Sequence, residues 1–411
     1  MTNERGLDRR SLAVRMRGEG GFTILEMLLS MAIMVGVTAA IFRLVDPAHG
    51  TYRTQPEVSD MQQRLRVSTS FLASDLLMAG AGAPSGGQQM GSLMNYFAPI
   101  QPLRTGWINS DVAAGVLFRD DAITIFYVPV GAPQTKLTEE MPQPSSELKV
   151  EVSPGCGGQT SPLSCGAGFK DGMKVIIFDE TGAWDDMTIT QVQDASLHLQ
   201  HNKQVPGNEL SKKYGTSAQV AQVQQRTYYL NNATQQLMYY DGYLREEAVV
   251  DNVVDVEFEY FGEARPPTLF LDASNAQQTT YGPRPPNVAN TNGTTWPPGE
   301  NCIFTRDAGA QAVPRLPNLA PGSSGLVKLT QAQLTDGPWC PDGAFPTRFD
   351  ADLYRVRKVG VVLRVQVASA ELRGPAGALF RNAGTSISGR QLVPDQEIRF
   401  EVTPRNINLG R

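Results

Sequence analysis

From Phe22 to Val45 the chain reads FTILEMLLSMAIMVGVTAAIFRLV, apolar at nearly every position, with Glu26 and Arg43 as its ionisable side chains. As a helix this run extends about 36 Å, enough for a hydrocarbon core of about 30 Å. The pattern then changes. VDPAHGTYRTQPEVSD at 45–60 carries Pro47, Gly50 and Pro56, which predict a bend or a melted turn. Beyond it Val58, Met61, Leu65, Leu72, Leu76 and Ala79 recur at spacings of three, four and seven, so 46–80 reads as an amphipathic extension of the N-terminal helix. MAGAGAPSGG, with its glycines and Pro84, ends it. Such a glycine run can cradle a phosphate, but this one follows a helix and lacks Lys, so it reads as a loop.

Strand patterns follow: AITIFYVPV (122–130), KVIIFDE (174–180), MTITQVQ (187–193) and SLHLQH (196–201). Two Tyr-rich runs around a polar turn at 223–244 predict a hairpin, its tyrosines at 228–229 and 239–240 half core and half surface. VVDNVVDVEFEYFG (249–262) alternates as a strand with Val254, Val256, Phe258 and Tyr260 inward. Residues 263–349, rich in Pro, Gly, Asn and Thr, read as a long irregular insertion. Regular pattern returns at 354–369 and closes at 396–409. The expected architecture is α+β: a long helix covering one face of a mainly antiparallel sheet. A β-rich domain is expected over 81–262, with its last strands in 350–411.

Charge adds a direction. Residues 1–21 hold Arg5, Arg9, Arg10, Arg15 and Arg17 against Glu4, Asp8 and Glu19, a net of +2, which leaves 31 basic and 38 acidic residues, or -7, on the remainder. A basic flank stays cytoplasmic, so one crossing with the body outside is expected. The acidic body argues against a nucleic-acid partner, which needs clustered Lys and Arg. Outside the cytoplasm the four cysteines are free to form disulfides. Three connectivities are open; the nearest-neighbour choice is Cys156–Cys165 with Cys302–Cys340. The spacing CGGQTSPLSC lacks the tight pairs of a structural zinc site, and no metal is assigned.

Candidate catalytic chemistry is sparse. His198 and His201 fall on opposite faces of a strand-like stretch and read as solvated side chains. FDETGAWDDM gathers Asp179, Glu180, Asp185 and Asp186 around a turn. Calcium favours such oxygen clusters, but the spacing is not that of an EF-hand, and a charged hairpin tip is the plainer reading. Neither a G-x-S-x-G nor a P-loop motif occurs, so neither an enzyme nor a cofactor is expected.

The acid inside the apolar run is the informative residue. A carboxylate at mid-bilayer costs roughly 2.5–3.5 kcal/mol on insertion scales, so it points to a function by default. A secretory signal cut after Ala39 or Ala40 does not explain it, and neither does a plain anchor. GGFTILEMLL, preceded by a basic leader, resembles the class III signal of type IV pilins and of the pseudopilins of type II secretion. That resemblance implies cleavage of the 1–21 leader by a prepilin peptidase between Gly21 and Phe22, followed by N-methylation of Phe22. It also implies that 22–45 remains as the anchor. Glu26 of one subunit would then meet the new amine of a neighbour and set its register. The order of SDLLMAGAG, VVDNVVDVEFEYFG, RVRKVGVVLRVQVAS and RFEVTPRNINL is similar to PilW-type minor pilins and J-type pseudopilins. A pilin-like fold in a bacterial inner membrane, body periplasmic, is implied, with possible display on the pilus or cell surface after assembly. The implied partners are the peptidase, other minor and major pilins, the inner-membrane assembly machinery and membrane lipid. A minor pseudopilin, or a tip adhesin acting through 263–349, are the alternative expectations.

Overall fold

The computed structural model describes residues 21–82, 91–202, 209–216, 218–273, 275, 277–286, 294–322, 325–373 and 393–408. The expected leader lies outside these residues except for Gly21. The chain divides into two compact units, Met1–Pro56 and Glu57–Arg411. A helix, α1, runs Ile24–Met78. Within it Ile24–Val45 is the one described helical stretch long and apolar enough to cross a membrane, and its side chains are exposed. Residues 45–60 are helical, which corrects the melted turn predicted from the prolines. Each proline withholds one donor at a cost of about 3 kcal/mol, but propagation is cooperative and the flanking turns keep their bonds.

In the second unit, α1 buries Met61, Leu65, Leu72 and Leu76. The gap in that stripe is filled by Ser68, fully buried, whose hydroxyl donates to the Arg64 carbonyl at 2.7 Å. Gly80 ends the helix in the left-handed region at φ +76°, and its amide donates to the Phe126 carbonyl at 2.9 Å. A side chain there would also lie 2.8 Å from Ile407, so the glycine serves both the turn and the close approach. Asp75, near the helix end, accepts from the Tyr228 hydroxyl at 2.6 Å and ties helix to sheet.

Two antiparallel sheets share the main core with this part of α1. The first has the order Ile100–Gln101, Ala122–Tyr127, Gln224–Asn231, Gln236–Tyr240, Glu246–Asp251. The second has the order Leu326–Leu329, Val253–Glu263, Val356–Val365, Gln396–Val402. The chain passes between them at Asn252, a left-handed residue at φ 59°, a conformation Asn tolerates well. The 223–244 hairpin forms as expected, but Tyr228, Tyr229 and Tyr240 are all buried, so half of that surface expectation is corrected. Val256, Phe258 and Tyr260 point inward; Val253 replaces Val254 there, because a register shift between Val253 and Asp255 resets the alternation.

Within the region read as one domain, residues between the strands Ala122–Tyr127 and Gln224–Asn231 build a second core of their own. It is enclosed by a four-stranded sheet, in the order Gln134–Lys136, Gln219–Ala221, Lys174–Phe178, Trp184–Thr188, and by a three-stranded one. Phe345, from the 263–349 region, packs into this second core.

That region is not the irregular insertion the composition suggests. Leu326–Leu329 is an edge strand of the second sheet, pairing Tyr260 with Leu329 and Glu263 with Leu326. Tyr281, Ile303, Phe304, Leu316, Leu334 and Phe349 are buried in the main core. Arg355, fully buried, donates to the carbonyls of Glu263, Ala264, Arg265 and Pro317 and pairs with Asp352. Strands of two to four residues leave no periodic trace in composition, which is why the region looked structureless.

Candidate functional site

The N-terminal turn of α1 is built by its own side chains. Thr23 caps the helix: its hydroxyl accepts from the Glu26 amide at 3.2 Å, and a Glu26 carboxylate oxygen accepts from the Thr23 amide at 2.9 Å and its hydroxyl at 3.0 Å. This reciprocal pair is a capping box, readable as T-x-x-E and overlooked in the sequence. Glu26 therefore has a local partner as well as its charge. Gly21 has open space around it and Phe22 is 92% exposed, so the peptide bond between them is accessible. Further along, Ser30 and Thr38 donate to the carbonyls of Met27 and Met34 at 2.9 and 2.7 Å. Both hydroxyls are thus satisfied within the helix, as an apolar surrounding demands. Met31, Met34, Val35, Thr38, Ala39 and Phe42 line a shallow, almost wholly apolar groove on this segment.

The four carboxylates read as a charged hairpin tip do not converge on one point. They sit on the hairpin of Lys174–Phe178 with Trp184–Thr188. Asp179 is fully buried against Lys212, at 2.6 Å, and Asp185 is buried beneath Ser211 and Tyr214, at 2.7 and 2.8 Å. Glu180 pairs with Arg284 at 3.0 Å and Asp186 lies 3.9 Å from Lys174. A solvated tip is corrected to two buried and two paired acids. Burial pushes the Asp185 carboxyl up to about 6, against the opposing pull of the Ser211 and Tyr214 hydrogen bonds.

A second acidic group was missed. Oxygens of Asp336, Asp350 and Asp352 lie within 4.8 Å of one another. Hard oxygen donors of this kind suit calcium. Here, though, Asp350 accepts from the amides of Gly337 and Asp352 at 2.7 and 2.8 Å, and the Arg355 guanidinium supplies countercharge at Asp352. Burial pushes the carboxyls of Asp350 and Asp352 up to about 7 and about 6. Only the D-x-D spacing at 350–352 hints at the cluster in sequence; Asp336 joins it through tertiary structure.

Cys156 pairs with Cys165 and Cys302 with Cys340, the nearest-neighbour connectivity. His198 meets Glu147 at 3.0 Å. His201 is buried with a ring nitrogen 2.9 Å from the Ser146 carbonyl, which corrects its reading as solvated; the strand His198–Gln200 ends before it, so the alternation rule does not reach it. Comparison with known proteins adds nothing further: no protein-family model, curated protein or solved structure matches this chain.

Proposed function

We propose that this chain is a minor pilin that takes part in starting or capping a type IV pilus. The observation that carries the reading is the N-terminal turn, where an accessible Gly21–Phe22 bond directly precedes a helix with one acid in its first turn and an exposed apolar surface behind it. A prepilin peptidase cutting at that bond leaves the apolar segment attached and creates an amine at Phe22. In lipid, that amine and a carboxylate from an adjacent subunit offset each other's desolvation and fix a single axial register. The body then lies outside the inner membrane, where its two disulfides are stable. A minor pseudopilin of a secretion system would use the same chemistry, and neighbouring genes distinguish the two.

Mass spectrometry of the mature N-terminus tests this reading. A protein beginning with methylated Phe22 is the expected result. A chain that begins near Ile41 has discarded Glu26 with a secretory leader, and the proposal then fails.

A further inference from the structure

We propose that Lys212 and Asp179 become joined by an intramolecular isopeptide bond that staples the second core. The Lys212 ammonium nitrogen lies 2.6 Å from Oδ2 of Asp179, and the two side chains are 3% and 0% exposed. The surroundings suit an acyl substitution more than a lasting ion pair. Cross-strand pairing sets Ile177 opposite Asp185 and Phe178 opposite Trp184, so alternation puts Asp179 on the face that Ile177 turns into the second core. Water is excluded there. Removing two charges from water costs several kcal/mol per ion, and joining the two groups as an amide removes both charges at once.

The proposed reaction begins with one proton passing from Nζ to Oδ2, which makes the amine the nucleophile and the acid the acyl donor. Oδ1 of Asp179 accepts from the Thr181 amide at 3.0 Å and the Thr181 hydroxyl at 2.5 Å. Two donors on one carboxyl oxygen are what stabilise the oxyanion of a tetrahedral intermediate. Among the described residues Oδ2 has no hydrogen-bond donor other than the lysine, and it is the oxygen that leaves. Oδ2, 2.6 Å from the lysine nitrogen, is one C–O bond from the carbon that nitrogen must reach, and near-attack geometry asks for about 3–3.5 Å.

The steps balance without any co-reactant. The Nζ lone pair forms a bond to Cγ, the Cγ–Oδ2 bond breaks, and Oδ2 departs as water carrying the acid proton and one amine proton. Thr181 is placed to relay the amine proton to Oδ1, since its hydroxyl accepts from Nζ at 3.0 Å while donating to Oδ1; Oδ1 passes that proton to Oδ2 as the Cγ–Oδ2 bond breaks and the amide carbonyl forms at Oδ1. Tyr214, fully buried, walls the site with its ring 5.1 Å from Nζ, and its hydroxyl is held by Asp185 at 2.8 Å. The product ties the hairpin tip to the loop before the strand Gln219–Ala221.

The full chain, purified in detergent, reduced, alkylated and digested with trypsin, provides the test. The expected product is a branched peptide joining segments 175–203 and 204–213, told apart from the linear peptide 175–213 of identical mass by its two N-termini and two N-terminal fragment-ion series; an unbranched 175–213 counts against the proposal. Recovery of those segments as separate linear peptides overturns the proposal, and this measurement on the native chain needs no variant to fold. Lys212→Arg keeps the positive charge and is expected to abolish the branched species; its persistence there also overturns the assignment. Thr181→Ala is expected to slow bond formation about a hundredfold or more.

Discussion

At the first turn of α1, Glu26 closes the box with Thr23 through hydrogen bonds that an amide makes as well as a carboxylate does. An ion pair with a neighbouring amine needs the charge. Glu26→Gln therefore separates the two roles. It is expected to insert, be cut and keep its helix start, yet to lose entry into filaments. Glu26→Ala loses both roles, with a cap cost of about 0.5–2 kcal/mol in addition. Pilus counts by electron microscopy read the outcome: normal numbers in Glu26→Gln mean that capping accounts for the residue and register pairing does not.

Among the elements, 263–349 changes most in meaning once its contacts are known. Its edge strand Leu326–Leu329, its core side chains and the carbonyls that satisfy buried Arg355 make it part of the domain's interior. Deleting it exposes the edge of Val253–Glu263, removes side chains of the main core and strips the buried Arg355 of its four carbonyl acceptors, leaving Asp352, losses that together rival the about 5–15 kcal/mol by which domains are stable. The deletion is expected to show no cooperative melting transition by circular dichroism. A tip-adhesin role is accordingly tested by Phe270→Ser with Leu271→Ser, side chains 47% and 66% exposed on the hairpin Leu269–Leu271 with Gln277–Thr279. That double variant is expected to keep the wild-type melting midpoint within a few degrees, as exposed substitutions do. Lost attachment with normal piliation favours adhesion.

For the molecule as a whole, buried acids set the response to pH. Asp185, Asp350 and Asp352 titrate in the folded state at about 6, about 7 and about 6, above their ordinary value of 3.8, chiefly through burial. The folded chain thus holds protons that the unfolded chain releases. The associated stability is complete below the ordinary carboxyl range and is lost as pH rises through 6 to 7. The thermal midpoint is expected to be higher at pH 5 than at pH 8, and Asp350→Asn is expected to flatten that difference; a midpoint that rises from pH 5 to pH 8 refutes the assignment. The long helix, its buried stripe from Met61 to Leu76, the 223–244 hairpin and the α+β class were all legible in sequence, because periods of 3.6 and 2 are local consequences of backbone geometry. The candidate processing bond and its acid were legible for the same reason, since they are contiguous. The second core, the Asp336–Asp350–Asp352 cluster, the edge strand at 326–329 and the meeting of Lys212 with Asp179 were not. Each depends on residues far apart in the chain whose desolvation and partners exist only after packing. Local pattern thus determined which segments become helix or strand, and tertiary contact alone decided which polar groups lie buried and what they face.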